Sequence, residues 1–198
     1  MGSVETEIKL RVKDAATAAA LLQHAGFRVR HERTFEANTL LDTASGQLRA
    51  KRQILRFRQY GERHVLTYKG SPVDGRHKTR EELEMVLAGE QPLRSIFERL
   101  GFLPLFRYEK YRTEYSREGE PGMAVLDETP IGTFLELEGT PEWIDRTARE
   151  LGFEEADYIL QSYGALYAEY AAAHGTNPAA MVFLAGEQPP HPEGVREQ

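Results

Sequence analysis

The chain has 198 residues, 40% of them hydrophobic and 28% charged, enough for one domain with a substantial core. Its formal net charge of -6 argues against a general nucleic-acid binder, and the absence of cysteine excludes disulfides, thiolate metal sites and a Cys nucleophile. No apolar run is long enough to span a membrane and no signal-peptide pattern is present, which reads as a cytoplasmic protein without a membrane partner.

The first predicted element is a strand. In ETEIKLRVK, residues Glu5, Glu7, Lys9, Arg11 and Lys13 share one face at period two, while Ile8, Leu10 and Val12 share the other. Asp14 then caps a short helix over AATAAALLQHAG that stops at Gly26. FRVRHERTFEANTLLDT is rich in aromatic, Val and Thr residues and reads as extended, with TASGQ as a turn. ILRFRQYGERHVLTYKG reads as a hairpin of 54–60 and 63–69 about Gly61-Glu62. After the SPVDG loop, HKTREELEMVL suits helix or strand alike. Its neighbours favour a strand with Lys78, Arg80, Glu82 and Glu84 on one face and Leu83, Met85 and Leu87 on the other.

EQPLRSIFERLGF has helical spacing at Leu93, Ile96, Phe97 and Leu100, with a stop at Gly101. The stretch from FRYEK to ELEG (106–139) reads as three strands with turns at EGEPG and at 130–132. TPEWIDRTARELGF is a helix capped by Thr140, and SYGALYAEYAAAH is the last one. The order predicts an α+β fold with a mainly antiparallel sheet in one domain over 1–174. The tail, 175–198, is rich in Pro, Gly and Ala and reads as largely loose, although its MVFLA segment could dock on the domain or on a second copy.

A half-solvated antiparallel sheet commonly shows one polar face. Here, however, strand after strand offers charge rather than Ser, Thr or Gln: Glu5, Glu7 and Lys9; Arg56 and Arg58; Lys69; Arg80, Glu82 and Glu84; Lys110 and Arg112; Asp127; Glu136 and Glu138. If these faces line a closed barrel whose outer face is covered by helices, each isolated charge costs several kcal/mol to dehydrate. The interior makes sense if it holds a polyanion with a divalent metal. Carboxylates are hard ligands suited to Mg²⁺ or Mn²⁺, and Lys and Arg neutralise phosphate oxygens.

ETEIK matches the Glu-x-Glu-x-Lys signature of the CYTH superfamily, the triphosphate tunnel metalloenzymes, whose name joins class IV adenylyl cyclases and thiamine triphosphatase. LRFR, LTYKG, TREELE, EKYRTEY, LDETPIGTFLELE and SYGALY resemble its successive motifs in order, over about residues 4 to 168. The resemblance implies an eight-stranded antiparallel β-barrel, a tunnel with a charged lumen flanked by helices. It implies Glu5, Glu7, Asp127, Glu136 and Glu138 as metal ligands, and Lys9, Arg56, Arg58, Lys69, Arg80, Lys110 and Arg112 as substrate-binding residues. Glu5, Glu7, Lys9 and Glu82 are the implied catalytic set.

Lys78, Arg11 and Lys13 are read as rim charges outside the chemistry, Asn38 and Asp42 as turn or structural residues, and Tyr163 as a ligand contact or a core cap. Three functions follow as expectations. The first is a Mg²⁺- or Mn²⁺-dependent hydrolase of tripolyphosphate, a nucleoside triphosphate such as ATP, or thiamine triphosphate. FEANTLLD lacks the Asp-x-Tyr-Phe arrangement associated with the cyclase branch, which ranks class IV adenylyl cyclase second. A non-catalytic polyphosphate-binding module ranks third. The apolar outer faces exceed what the few helices cover, which is consistent with a homodimer.

Overall fold

The computed structural model describes residues 2–184. Its strands are β1 (Ser3–Val12), β2 (Arg28–Thr43), β3 (Ile54–Tyr60), β4 (Arg63–Lys69), β5 (Lys78–Leu87), β6 (Phe102–Ser116), β7 (Met123–Thr129) and β8 (Gly132–Glu138). They neighbour one another in the order β2-β3-β4-β5-β1-β8-β7-β6, and β6 pairs back to β2. The sheet is thus a closed, eight-stranded antiparallel barrel, and closure leaves none of these strands as an open edge. Five helices flank it: α1 (Ala15–His24), α2 (Gln47–Ala50), α3 (Gln91–Arg99), α4 (Pro141–Glu150) and α5 (Tyr163–His174).

The period-two pattern decides which way each strand faces. Ile8 and Leu10 of β1 and Leu135 and Leu137 of β8 point outward and are fully buried beneath α1 and α4, with Leu22, Trp143, Ile144 and Ala148. Burying each large side chain contributes about 1.5–3 kcal/mol. The caps read from the sequence hold these helices: Asp14 accepts from the Thr17 amide at 2.8 Å and Thr140 from the Trp143 amide at 3.3 Å. The EGEPG turn is fixed by the same core, because a Cβ on Gly122 would collide with the Trp143 indole.

A second apolar cluster joins Phe106 and Tyr108 of β6 and Phe134 of β8 to Tyr163, Leu166 and Tyr167 of α5. The first residues of α5, Tyr163 and Gly164, line the barrel interior. Within the MVFLA segment, Met181 and Phe183 pack on their own domain. Ala180–Met181 forms a short strand, β9, parallel to β6, with Met181 fully buried, and the Phe183 ring lies 5.5 Å from Tyr111. Residues 185–198 of the tail lie outside the described residues.

Three local departures from the sequence reading have physical causes. TASGQ leads into the one-turn α2, because Asp42 accepts the amides of Thr43, Leu48 and Arg49. β6 begins at Phe102, earlier than FRYEK, and accommodates Pro104 at a register shift opposite Leu41. The outer apolar face of β5 is covered only at Leu87: Leu83 and Met85 are 42% and 52% exposed, while Leu93, Arg94 and Phe97 of α3 pack toward Phe57 of β3.

Candidate functional site: a charged tunnel

The inward faces of the barrel line a cavity of about 60 Å³, and twelve of its eighteen lining residues are charged. Eight are cations (Lys9, Arg56, Arg58, Lys69, Lys78, Arg80, Lys110 and Arg112) and four are acids (Glu5, Glu7, Glu136 and Glu138). A chain with a net charge of -6 therefore turns a positive surface inward.

Strand register explains how so many charges coexist. Opposite-charge residues face each other across neighbouring strands: Glu5 opposite Arg80, Glu7 opposite Lys78, Lys9 opposite Glu136, Lys69 opposite Glu82 and Arg112 opposite Asp127. The contacts are short. Lys69 Nζ lies 2.6 Å from both oxygens of Glu5 and 3.1 Å from Glu82. Lys78 Nζ lies 2.6 Å from Glu7 Oε1, and Lys9 Nζ bridges Glu7 at 3.3 Å and Glu136 at 3.1 Å. Arg112 reaches Glu136 at 2.5 Å.

One pairing breaks the rule. Glu7 and Glu138 stand directly opposite each other, and like charges so placed repel. Burial, followed by the charges of Glu5 and Glu7, pushes the Glu138 carboxyl up to about 7. Glu5, Glu7 and Glu138 thus form an acidic mouth at the start of β1. Among the described residues no three acidic or imidazole groups stand close enough to hold an ion as placed, since lysines occupy Glu5 and Glu7. Carboxylates are the donors a hard divalent cation takes, and Glu5, Glu7 and Glu138 are the residues here that could supply them if the lysines gave way.

Behind the bases sit two fully buried acids. Asp127 accepts from Lys110 Nζ at 2.7 Å, from Arg112 Nε and Nη2 at 2.7 and 2.6 Å, and from the Tyr163 hydroxyl at 2.8 Å. Its oxygens are taken up by these donors, and it does not line the cavity. Glu36 of β2 was not among the sequence candidates. Burial pushes its carboxyl up, but Arg58, Lys110 and Arg112, at 3.6, 3.6 and 3.9 Å, outweigh this and hold it well below the usual carboxylate range. Its neighbour Asn38 donates to it at 2.8 Å.

Most of the predicted residues therefore meet in one cavity. Asp127 stands behind its wall, Glu82 beside it against Lys69, and Glu84, 43% exposed, accepts from Thr67 at 2.9 Å. Lys78 is a correction. It is not a rim charge: it is 8% exposed, lines the tunnel, and burial with the nearby Lys9 pushes its ammonium down to about 8. Arg11 and Lys13 are exposed, with Arg11 over the Phe134 ring. Tyr163 faces the cavity, with Lys9 and Lys110 at 5.3 and 5.0 Å from its ring centroid.

Comparison with known proteins agrees with this geometry. The model of the CYTH domain matches residues 3–163. The chain belongs to the CYTH family. A Methanocaldococcus jannaschii protein named "putative adenylate cyclase" is 30% identical over 159 residues, covering 80% of this chain and 89% of that protein. Among solved structures, a "putative adenylate cyclase" from Vibrio parahaemolyticus superposes with a TM-score of 0.71 at 20% identity, over 84% of this chain and 98% of that one. A Hippeastrum protein described as a "putative adenylyl cyclase" with a dominant triphosphatase activity superposes at 0.58 and 22% identity, over 89% and 97% of the two chains. Among the described residues, no helix is long and apolar enough to cross a membrane.

Proposed function

We propose that this CYTH protein hydrolyses triphosphates, organic or inorganic, with Mg²⁺ or Mn²⁺. The observation that carries the reading is a set of buried guanidinium N–H groups without hydrogen bonds. Arg56 and Arg80 are each 6% exposed and line the tunnel, yet neither Nε makes a hydrogen bond: Arg56 donates only through its terminal nitrogens, to Tyr108 and Thr67, and Arg80 Nε stands 3.5 Å from Glu5. A buried unsatisfied donor costs about 1–3 kcal/mol or more. Phosphate oxygens in the cavity would satisfy both.

In this reading Lys9, Arg56, Arg58, Lys69, Arg80, Lys110 and Arg112 grip the phosphate chain, Arg by paired N–H groups. Lys78 joins them. Glu5, Glu7 and Glu138 would hold the cation, with Glu136 deeper in the tunnel. Asp127 and Glu36 fix the bases that touch the phosphate. Such an ion, when bound, would screen phosphate charge and make a bound water more acidic. Glu82, beside Lys69 at the mouth, would accept the proton of the attacking water. The protein's own contribution is a preorganised field that needs no rearrangement during phosphoryl transfer.

The names of the relatives favour a second reading, cyclisation of ATP to cyclic AMP and pyrophosphate. Product analysis separates the readings: the protein is incubated with ATP and with tripolyphosphate, each with Mg²⁺ and Mn²⁺. Orthophosphate is the expected product. Cyclic AMP with pyrophosphate would replace the hydrolase by the cyclase, and no product would leave a binding module.

A further inference from the structure

The wall of the tunnel forks where β1 changes partner. From Ser3 to Glu7, β1 pairs with β5, and Glu7 opposite Lys78 is the last rung. Two residues on, a continued β5 would set Arg76 against Lys9. That place is taken by Ile159, which exchanges both backbone hydrogen bonds with Lys9, at 3.0 and 2.8 Å. β5 leaves the barrel here through His77. On its other side β4 reaches only as far as Glu82, and Val73 bridges Thr79 beyond it. Lys78 is therefore a strand end held by one rung, where backbone pairing alone lets a chain open locally.

A polar cluster on the outer side ties the fork together. His77 is buried, with Nε2 2.7 Å from Asp145 Oδ1 of α4; a carboxylate only accepts, so the imidazole donates. The Tyr158 hydroxyl donates to the same oxygen at 3.1 Å, and Arg76 reaches Asp145 at 3.4 Å and Glu155 at 3.1 Å. Burial raises the Asp145 carboxyl, but the bonds from His77 and Tyr158 outweigh it and hold it below its usual value, an ionised acceptor at neutral pH. The departing strand, α4 and the segment that brings Ile159 to Lys9 thus meet on one carboxylate. On the inner side of the same rung, Lys78 Nζ lies 2.6 Å from Glu7, which Lys9 also contacts at 3.3 Å. An apolar pair often stabilises a wall as well as a polar one; what the hydrogen bond adds is direction. We propose that His77 and Asp145 are positioning residues of the tunnel: their bond anchors the end of β5 and so fixes the Lys78 ammonium for phosphate. The proposal rests on the triphosphate reading of the tunnel.

Calorimetric titration of the full chain with Mg²⁺ and the bis-methylene analogue of inorganic triphosphate tests it, at a temperature where each variant is folded. His77→Ala is expected to weaken binding about three- to tenfold, the loss of one buried hydrogen bond to a charged group. Asp145→Ala, at a partly exposed helix position that tolerates alanine, should do so by a similar factor. His77→Gln, whose amide donates from the place of Nε2, should recover binding to within about twofold of the wild type. The deciding readout is coupling. In a Lys78→Ala chain, His77→Ala should add less than about twofold, because the lysine it positions is gone. Undiminished binding by either alanine variant, no recovery by glutamine, or losses that multiply in the double variant would each overturn the proposal. Binding is read without turnover, so a failed product assay would remove the hydrolase and leave this result standing. A wild-type chain that does not bind the probe would overturn the triphosphate reading and this proposal together.

Discussion

The two faces of β1 carry opposite solutions to burial. Outward, Ile8 and Leu10 are fully buried against helices and stabilise the fold simply by leaving water. Inward, Glu5, Glu7 and Lys9 are also below a tenth exposed, yet each is charged and held by partners on neighbouring strands. Buried ion pairs recover their dehydration cost only with good geometry, and an apolar replacement is often as stable or more so. The outer face is thus what folds the barrel. On the proposed reading the inner face is kept for a ligand, whose oxygens would accept from the Arg56 and Arg80 Nε–H groups.

This contrast can be broken from either side. The largest effect is expected from Glu5→Gln with Glu7→Gln, which removes charge while keeping volume. Turnover of any triphosphate substrate should fall at least 10³-fold at temperatures where the variant is folded; its melting temperature should also fall, because Lys69 and Lys78 lose their buried partners. A double variant that keeps its activity would sink the assignment of the acidic mouth. On the outer face Leu137→Ala should do the reverse, costing about 2–5 kcal/mol by urea denaturation. At temperatures where that variant remains folded, its KM should be close to that of the wild type. A loss below 1 kcal/mol would show that the core beneath α4 is not where stability resides.

A smaller effect sharpens the boundary between the two. The folded Glu36 carboxyl is held well below its usual value, so it binds its proton less readily than in the unfolded chain. Its contribution to stability is present above the unfolded value of about 4.3 and is lost as pH falls through the lower folded value. Glu36→Gln should therefore be less stable than wild type at pH 7, and the gap should narrow on acidification below about pH 4. A gap constant across that range would mean that Glu36 is not coupled to Arg58 and Lys110 as described.

How much of this was legible in the chain follows the same division. β1, β3 and β8 could be read because charge recurs at period two on the inward face, as Glu5, Glu7 and Lys9, as Arg56 and Arg58, and as Glu136 and Glu138. Glu36 escaped because its neighbours at the same period, Thr34, Asn38 and Leu40, are uncharged. Only the pairing of β2 with β6 brings it opposite Lys110. Lys78 escaped because it opens its strand, where a rim position is the usual outcome, and its partner Glu7 lies 71 residues away.

The central claim is that the lumen's cations await a phosphate chain. It is tested most directly by the melting temperature of the full chain at rising tripolyphosphate or ATP with Mg²⁺. Ligand that binds only the folded state adds about 2.7 kcal/mol at a hundred times its Kd. The melting temperature should therefore climb steadily with the logarithm of concentration, and Arg56→Ala should blunt the climb. A melting temperature indifferent to both ligands at millimolar concentration would contradict the account.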